Sequence, residues 1–265
     1  MKFTKMQGIG NDYVYVNCFE ENIENPPELS IAISDRHFGV GSDGLIMIMP
    51  SPVADARMRI FNADGSEAQM CGNGIRCVAK YLYECGIKKS DRLTIETAAG
   101  IKTIELTTAS GNVTQVKVEM GIPGLLRNEI PMLGENEQVI DVPLQVNDTV
   151  LNITCVSMGN PHCITFVDDV DSVDLNVTGK AIENHELFPE RINAHFVQQI
   201  SADKVKMRTW ERGSGETLAC GTGAVATGVA CVLNKLTERV INTQLPGGEL
   251  TVEWTEDNKT YMTRD

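Results

Sequence analysis

The chain has 265 residues, enough for one large domain or two of moderate size, each with a core of its own. With 42% hydrophobic and 22% charged residues, and no apolar run of membrane-spanning length, its composition is that of a soluble globular protein. A formal net charge of -13 excludes the cationic surface that nucleic acid or anionic lipid requires. The opening Met1-Lys2-Phe3-Thr4-Lys5 is followed by no apolar stretch of the kind a secretory signal carries, which points to the cytoplasm. Eight cysteines in such a chain predict free thiols rather than a disulfide framework. Cys71 and Cys77, the close pair, lack both the gap and the second pair of a structural zinc centre, so no metal is expected.

In chain order, one pattern is written twice. Gly10-Asn11 comes first, then Asn62, Gly65-Ser66 and the turn Cys71-Gly72-Asn73-Gly74. Ile75, Val78, Ala79 and Leu82 follow at helical spacing, so the turn opens a helix. Ala99-Gly100 marks a turn, and Val116, Val118 and Met120 alternate with Lys117 and Glu119 as a half-buried strand. The second passage brings Gly159-Asn160, a strand at Val205–Arg208, Glu211, Ser214-Gly215 and the turn Cys220-Gly221-Thr222-Gly223. Ala224 to Leu233 is apolar on nearly every side, predicting a deeply buried helix; Pro246-Gly247-Gly248 turns the chain into a strand at Leu250–Trp254. Cys71 and Cys220 stand 149 residues apart, as do Asn11 and Asn160, and Asn62 and Glu211. The repetition predicts an α+β protein of two pseudo-symmetric domains, each a curved, mostly antiparallel sheet wrapped around a central helix. The expected boundaries are 1–119 and 120–258, with a closing strand over about 259–265 returning to the first domain.

A cysteine between a strand and the first turn of a helix lies beside backbone N–H groups without intrahelical partners, at the positive end of the helix dipole. That setting favours thiolate and lowers a thiol pKa, and the same amides can bind a carboxylate. Two such turns predict a substrate whose carboxylate is held by both sets of amides with a sulfur on each side of its α-carbon. One sulfur as thiolate removes the α-proton, and the other as thiol protonates the opposite face, so Cys71 and Cys220 form an acid–base pair that inverts an amino acid without a cofactor. The carbanion needs amide donors in a dry site to carry the charge that builds on the carboxylate. Cys18, Cys77, Cys85, Cys155, Cys163 and Cys231 read as small buried hydrophobes.

The motifs resemble the diaminopimelate epimerase family over nearly the whole length. They are Met6-Gln7-Gly8-Ile9-Gly10-Asn11-Asp12, Phe61-Asn62-Ala63-Asp64-Gly65-Ser66-Glu67, Cys71-Gly72-Asn73-Gly74-Ile75-Arg76-Cys77, Met158-Gly159-Asn160-Pro161-His162, Arg191-Ile192-Asn193, Trp210-Glu211-Arg212-Gly213 and Cys220-Gly221-Thr222-Gly223. The resemblance implies an isomerase that converts LL-2,6-diaminoheptanedioate to the meso form for lysine and peptidoglycan synthesis, free of pyridoxal phosphate, cytoplasmic and homodimeric. It implies that the amides of Gly72, Asn73, Gly221 and Thr222 hold the reacting carboxylate and that Asn11 contacts the reacting end. Asn62, Asn160, Asn193 and Arg212 would fix the distal head group, Arg212 offering the bidentate fork a carboxylate prefers. His162 and Glu211 would adjust the protonation of the cysteines, Glu211 also lying at the substrate. Three departures stand out: Gln7 where many members have histidine, Gly44 where many have glutamine, and an ending at Met262-Thr263-Arg264-Asp265 where relatives usually continue.

Three other readings compete. A racemase of another amino acid such as histidine would share the thiols but waste the distal set. A redox switch would join Cys71 to Cys220 as a disulfide, and a plain amino-acid binder would put no solvent deuterium on the α-carbon.

Overall fold

The structure is a computed structural model that describes residues 1–264. The chain divides into two compact units, Met1–Glu119 with Arg264, and Met120–Thr263.

In the first unit the strands are β1 (Thr4–Gly8), β2 (Asn11–Asn17), β3 (Gly44–Met49), β4 (Ala56–Asn62), β5 (Glu67–Ala68), β6 (Arg92–Thr97), β7 (Gly100–Ala109) and β8 (Asn112–Gly121), the last crossing the division. They lie in the order β1-β2-β3-β4-β6-β7-β8, with β5 as a short ribbon beside β4. Neighbours run antiparallel except β2 with β3 and β4 with β6. Helix α1 (Pro26–Ser34) covers one face, where Ile33 joins Val14, Val16, Leu45, Met47 and Phe61. Helix α2 (Gly72–Glu84) fills the other, packing on β1, β2, β6 and β7 so that the sheet curls around it. Its inward residues Ile75, Val78, Ala79 and Leu82 are fully buried, as the spacing predicts.

In the second unit the strands are β9 (Val142–Val146), β10 (Thr149–Ser157), β11 (Pro161–Phe166), β12 (Asn193–Ser201), β13 (Lys204–Glu211), β14 (Gly215–Thr217), β15 (Val240–Leu245), β16 (Gly248–Trp254) and β17 (Thr260–Arg264). β10 to β17 repeat the first unit's plan: β11 and β12 are parallel, β13 and β15 are parallel, β14 hangs beside β13, and the rest are antiparallel. A wide helical turn at Leu175–Gly179 runs into α3 (Lys180–Glu183) and takes the place of α1, with Leu175 and Ile182 sealing a core of Cys155, Cys163, Ala194 and Phe196. Helix α4 (Gly221–Leu233) fills the sheet against β10, β11, β12, β15 and β16. Ala224, Val225, Ala226, Val229, Ala230 and Cys231 are all fully buried, so its all-round apolar sequence is a consequence of burial on every side.

The register repeats as well. Val14 faces Leu45 and Cys163 faces Ala194, each pair displaced from the other by 149 residues. Past the cysteine turns one residue is lost: Thr97 faces Gly100 and Leu245 faces Gly248, a displacement of 148. A closing strand forms as β17, antiparallel to β16 with Trp254 opposite Thr260, and the Thr260 hydroxyl donates to the Gly121 carbonyl at 2.8 Å. Its residues through Thr263 belong to the second unit, not to the first as expected. Asp265 lies outside the described residues.

Candidate active site

Each unit starts its central helix at a cysteine. Cys71 and Cys220 are the caps of α2 and α4, with nearly the same extended backbone (φ -134, ψ 114 and φ -119, ψ 105). The first intrahelical bonds are Ile75 N–H to the Cys71 carbonyl at 3.0 Å and Ala224 N–H to the Cys220 carbonyl at 2.9 Å. The amides of Gly72 and Asn73, and of Gly221 and Thr222, therefore stand ahead of the helical ladder, where an anion is best received.

In the first unit the Gly74 amide donates to the Cys71 sulfur at 3.3 Å, and the thiol donates to Asn11 Oδ1 at 3.5 Å. Asn11 is fixed in turn by Asp43, whose Oδ2 accepts from its Nδ2 at 2.7 Å and from the Asp12 amide at 2.9 Å. The Tyr13 hydroxyl bonds both Asn11 and Cys71, and burial holds that phenol well above its ordinary pKa. Beneath the first turn, the buried Arg76 guanidinium donates to the Gly72 carbonyl and to Asn73 Oδ1, each at 3.1 Å. Asn62 closes β4 opposite Gly44, and its Nδ2 donates to Ser66 Oγ at 3.0 Å. Gly44 is built for glycine: a Cβ there would lie 2.1 Å from the Phe61 carbonyl oxygen, so a glutamine requires the backbone to move.

The second unit is wired differently. Cys220 is 5% exposed, and burial pushes its thiol well up, reinforced by the Glu211 carboxylate; the Thr222 hydroxyl and Gly223 amide pull the other way. The expectation of a lowered thiol pKa from the helix terminus is thus overturned for Cys220, because desolvation of a buried sulfur outweighs the amides. Burial also raises the Glu211 carboxyl, against donation from Thr217 at 2.6 Å and a bond to Cys220. His162 spends both ring nitrogens on neighbours, Nδ1 on His195 Nε2 at 2.8 Å and Nε2 on Asn160 Oδ1 at 3.0 Å. His195 Nδ1 meets the Thr209 hydroxyl at 3.0 Å, and Asn160 Nδ2 donates to Thr222 Oγ1 at 3.3 Å. Both imidazoles are completely buried; His162 is held well below 6.5, chiefly by burial, and His195 is pushed down to about 3 by the same cause. Asn193, also buried, gives its Nδ2 to the Pro161 carbonyl at 2.8 Å and accepts the Arg212 amide at 2.9 Å. The Arg212 guanidinium leans on the Glu190 carbonyl at 2.9 Å.

Asn11, Gly72 and Asn73 thus gather around Cys71, while Asn160, His162, Glu211, Gly221 and Thr222 gather around Cys220. Sequence reasoning missed Asp43, Tyr13, Arg76, His195, Thr209 and Thr217; Arg76 alone lay inside a quoted motif. His162, His195 and Cys220 bring ligand-type atoms within 4.8 Å of one another, but the imidazole nitrogens are engaged as hydrogen-bonding groups. All eight cysteines are free, and Cys77, Cys155, Cys163 and Cys231 are buried as expected. Cys85 is exposed and Cys18 half-buried, a correction for both; Cys85 ends α2 on its solvent side.

The duplicated sheet-and-helix plan is shared with solved structures that include a probable proline racemase, a hydroxyproline epimerase and a phenazine biosynthesis protein of the PhzF family. The chain superposes on a probable proline racemase from Agrobacterium radiobacter with a TM-score of 0.71 at 17% identity, over 98% of this chain and 88% of the other. A hydroxyproline epimerase from Agrobacterium vitis gives 0.70 at 14% identity over the same shares, a likeness of fold alone. The sequence profile of diaminopimelate epimerase matches residues 3–126 and 154–265. Diaminopimelate epimerases from Acetivibrio thermocellus and Methanococcus maripaludis are 53% and 54% identical, over 99% of this chain and 94% and 95% of theirs. The chain belongs to the diaminopimelate epimerase family of isomerases.

Proposed function

We propose that the protein inverts one α-carbon of LL-2,6-diaminoheptanedioate to give the meso form, feeding lysine and peptidoglycan synthesis, with Cys71 and Cys220 as acid and base. The observation that carries this reading is the doubled setting of the two sulfurs, each the cap of a central helix behind a matching strand. The names borne by relatives sharing more than half their residues support the substrate.

The thiolate of one cysteine takes the α-proton while the thiol of the other delivers a proton to the opposite face; the roles exchange with direction. Amides of Gly72, Asn73, Gly221 and Thr222 receive the charge that develops on the carboxylate. Arg212 receives the distal carboxylate, with Asn62, Asn160 and Asn193 shaping the distal end. The network supports an indirect role for Asn160 and Asn193, since their carboxamides are bonded to His162 and Thr222, and to Pro161 and Arg212. Glu211 and His162 set the protonation of Cys220. The reading includes a cytoplasmic homodimer; free thiols throughout favour a reducing compartment, and no helix among the described residues is long and apolar enough to cross a membrane.

The test is an assay of pure, reduced protein with LL-diaminopimelate in deuterated solvent, following meso product and α-deuterium, with L-histidine as control. Conversion of the first substrate alone supports the proposal. Turnover of histidine, or binding without deuterium uptake, overturns it.

A further inference from the structure

The two cysteine settings match in backbone and differ in what lies behind them. Displacement by 149 residues pairs Tyr13 with His162, Ile46 with His195, Ile60 with Thr209, Asn11 with Asn160 and Asn73 with Thr222. Register confirms the pairing: Ile46 faces Ile60 on β3 and β4, and His195 faces Thr209 on β12 and β13. A Cβ on Gly74 would strike Ile46 Cδ1 at 2.5 Å, and a Cβ on Gly223 would strike His195 Cε1 at 2.3 Å, so the two side chains occupy the same place beneath the first helical turn. Behind Cys71 that place is hydrocarbon. Behind Cys220 it is a file of buried hydrogen-bonding groups.

The file has a direction. Asn160 presents Nδ2 to Thr222 and Oδ1 to His162, so His162 must carry its proton on Nε2. Its Nδ1 is then an acceptor, which requires His195 to be protonated on Nε2, and His195 Nδ1 accepts in turn from the Thr209 hydroxyl. Thr222 Oγ1 takes the Asn160 proton and lies 3.7 Å from the Cys220 sulfur with its own hydroxyl hydrogen uncommitted. Every link from Thr209 to Thr222 donates toward the sulfur, and the Thr222 hydroxyl can complete the series by donating to a Cys220 thiolate. Hydrogen bonds aligned in this way polarise one another, and more so in a dry interior.

We propose that Thr209 and His195 are positioning residues for Cys220, the far end of a one-way hydrogen-bond relay through His162, Asn160 and Thr222 that terminates on its sulfur. The proposal rests on Cys220 being an acid–base group. Because both imidazoles stay neutral, the relay adds donor strength to the thiolate without adding a buried charge. It opposes the burial and the Glu211 carboxylate that favour the thiol. In the first unit Ile46 and Ile60 stand where His195 and Thr209 do, and hydrocarbon cannot extend such a relay beyond Tyr13.

The test is the pH dependence of iodoacetamide alkylation at Cys220, mapped by peptide mass spectrometry without substrate, where Glu211 from β13, His162 from β11, His195 from β12 and Arg212 are the ionisable groups near the sulfur. Thr209→Val should slow Cys220 alkylation about two- to fourfold on the rising limb and move its midpoint to higher pH, the size expected from losing cooperative strengthening of a charge-assisted bond. Thr209→Ser should restore it, His195→Gln should copy Thr209→Val, and Cys71 should react at an unchanged rate. Nitrogen-15 NMR should show His162 and His195 in the Nε2–H form from pH 5 to 8. Unchanged Cys220 kinetics in folded variants, equal slowing of Cys71, failure of serine to restore, or an Nδ1–H tautomer overturns the relay. A protein that passes these tests yet leaves LL-diaminopimelate untouched would instead retire the proposed substrate.

Discussion

Gly223 on α4 leaves no room for a methyl group, because a Cβ there would lie 2.3 Å from Cε1 and 2.8 Å from Nε2 of His195. The imidazole cannot swing aside without breaking its bonds to His162 and Thr209. At the matching Gly74 the obstacle is Cδ1 of Ile46, the far end of a flexible chain. Gly223→Ala should therefore cost about 1–3 kcal/mol by overpacking, and Gly74→Ala less, since alanine's helix preference offsets part of the strain. Denaturant midpoints of both variants and of Gly223→Ala/His195→Ala check this. Equal destabilisation by the two single changes, or no recovery in the double variant, would contradict it.

Acid should weaken the fold through the two buried histidines. A histidine held below its unfolded pKa is neutral in the folded chain while the unfolded chain takes up a proton, so its stabilisation is complete above pH 6.5 and declines toward about 3, the folded value of His195. At pH 5 the loss from His195 alone is about 2 kcal/mol, at about 1.4 kcal/mol per pH unit. Urea denaturation at pH 7.5, 6, 5 and 4.5 should show wild type losing stability faster than His195→Gln. Parallel curves would mean that His195 is not a buried neutral group.

Either thiol should be indispensable. Cys71→Ala and Cys220→Ala should each lower kcat for epimerisation by about 10²–10⁴-fold, the usual worth of a positioned general acid or base. A cysteine-to-serine change keeps the capping geometry and should remain severely impaired. Single-turnover deuterium uptake from each stereoisomer shows whether the remaining cysteine still works one face. Near-normal turnover in Cys220→Ala would end the two-thiol scheme.

Legibility in the sequence tracked periodicity and repetition. β8, β13 and β16 alternate and were readable, and α2 and α4 followed from the cysteine turns. β2 and β3 left no alternating signal, because helix and sheet bury both their faces and Val14 to Val16 and Leu45 to Met47 are apolar or aromatic throughout. Helix α1 was hidden for the opposite reason: its buried residues include Ser30 and Ser34, whose hydroxyls are satisfied by the Phe61 and Asn62 carbonyls and by Ser42. His195 and Thr209 escaped because a buried strand residue with a polar side chain looks, in sequence, like any other strand position. The repeat held the missing signal, since isoleucines stand at the paired positions.

Arg212 depends on Asn193 for its placement. The buried carboxamide clamps the Arg212 amide at 2.9 Å and the Pro161 carbonyl at 2.8 Å, tying the end of β13 to the start of β11. Arg212→Ala removes the cation and its exposed bond to the Glu190 carbonyl but leaves the clamped backbone in place, and should raise KM for the diamino acid with little loss of stability. Asn193→Ala strands two backbone groups in a buried setting and should cost about 1–3 kcal/mol in addition to raising KM. If Arg212 meets the distal carboxylate, Arg212→Lys should recover charge without the bidentate fork, leaving KM between wild type and alanine. Steady-state kinetics and urea midpoints on the same three variants separate binding from folding. A KM for Arg212→Ala equal to wild type would remove this residue from substrate recognition, and a stable Asn193→Ala with normal KM would show that the clamp does not position it.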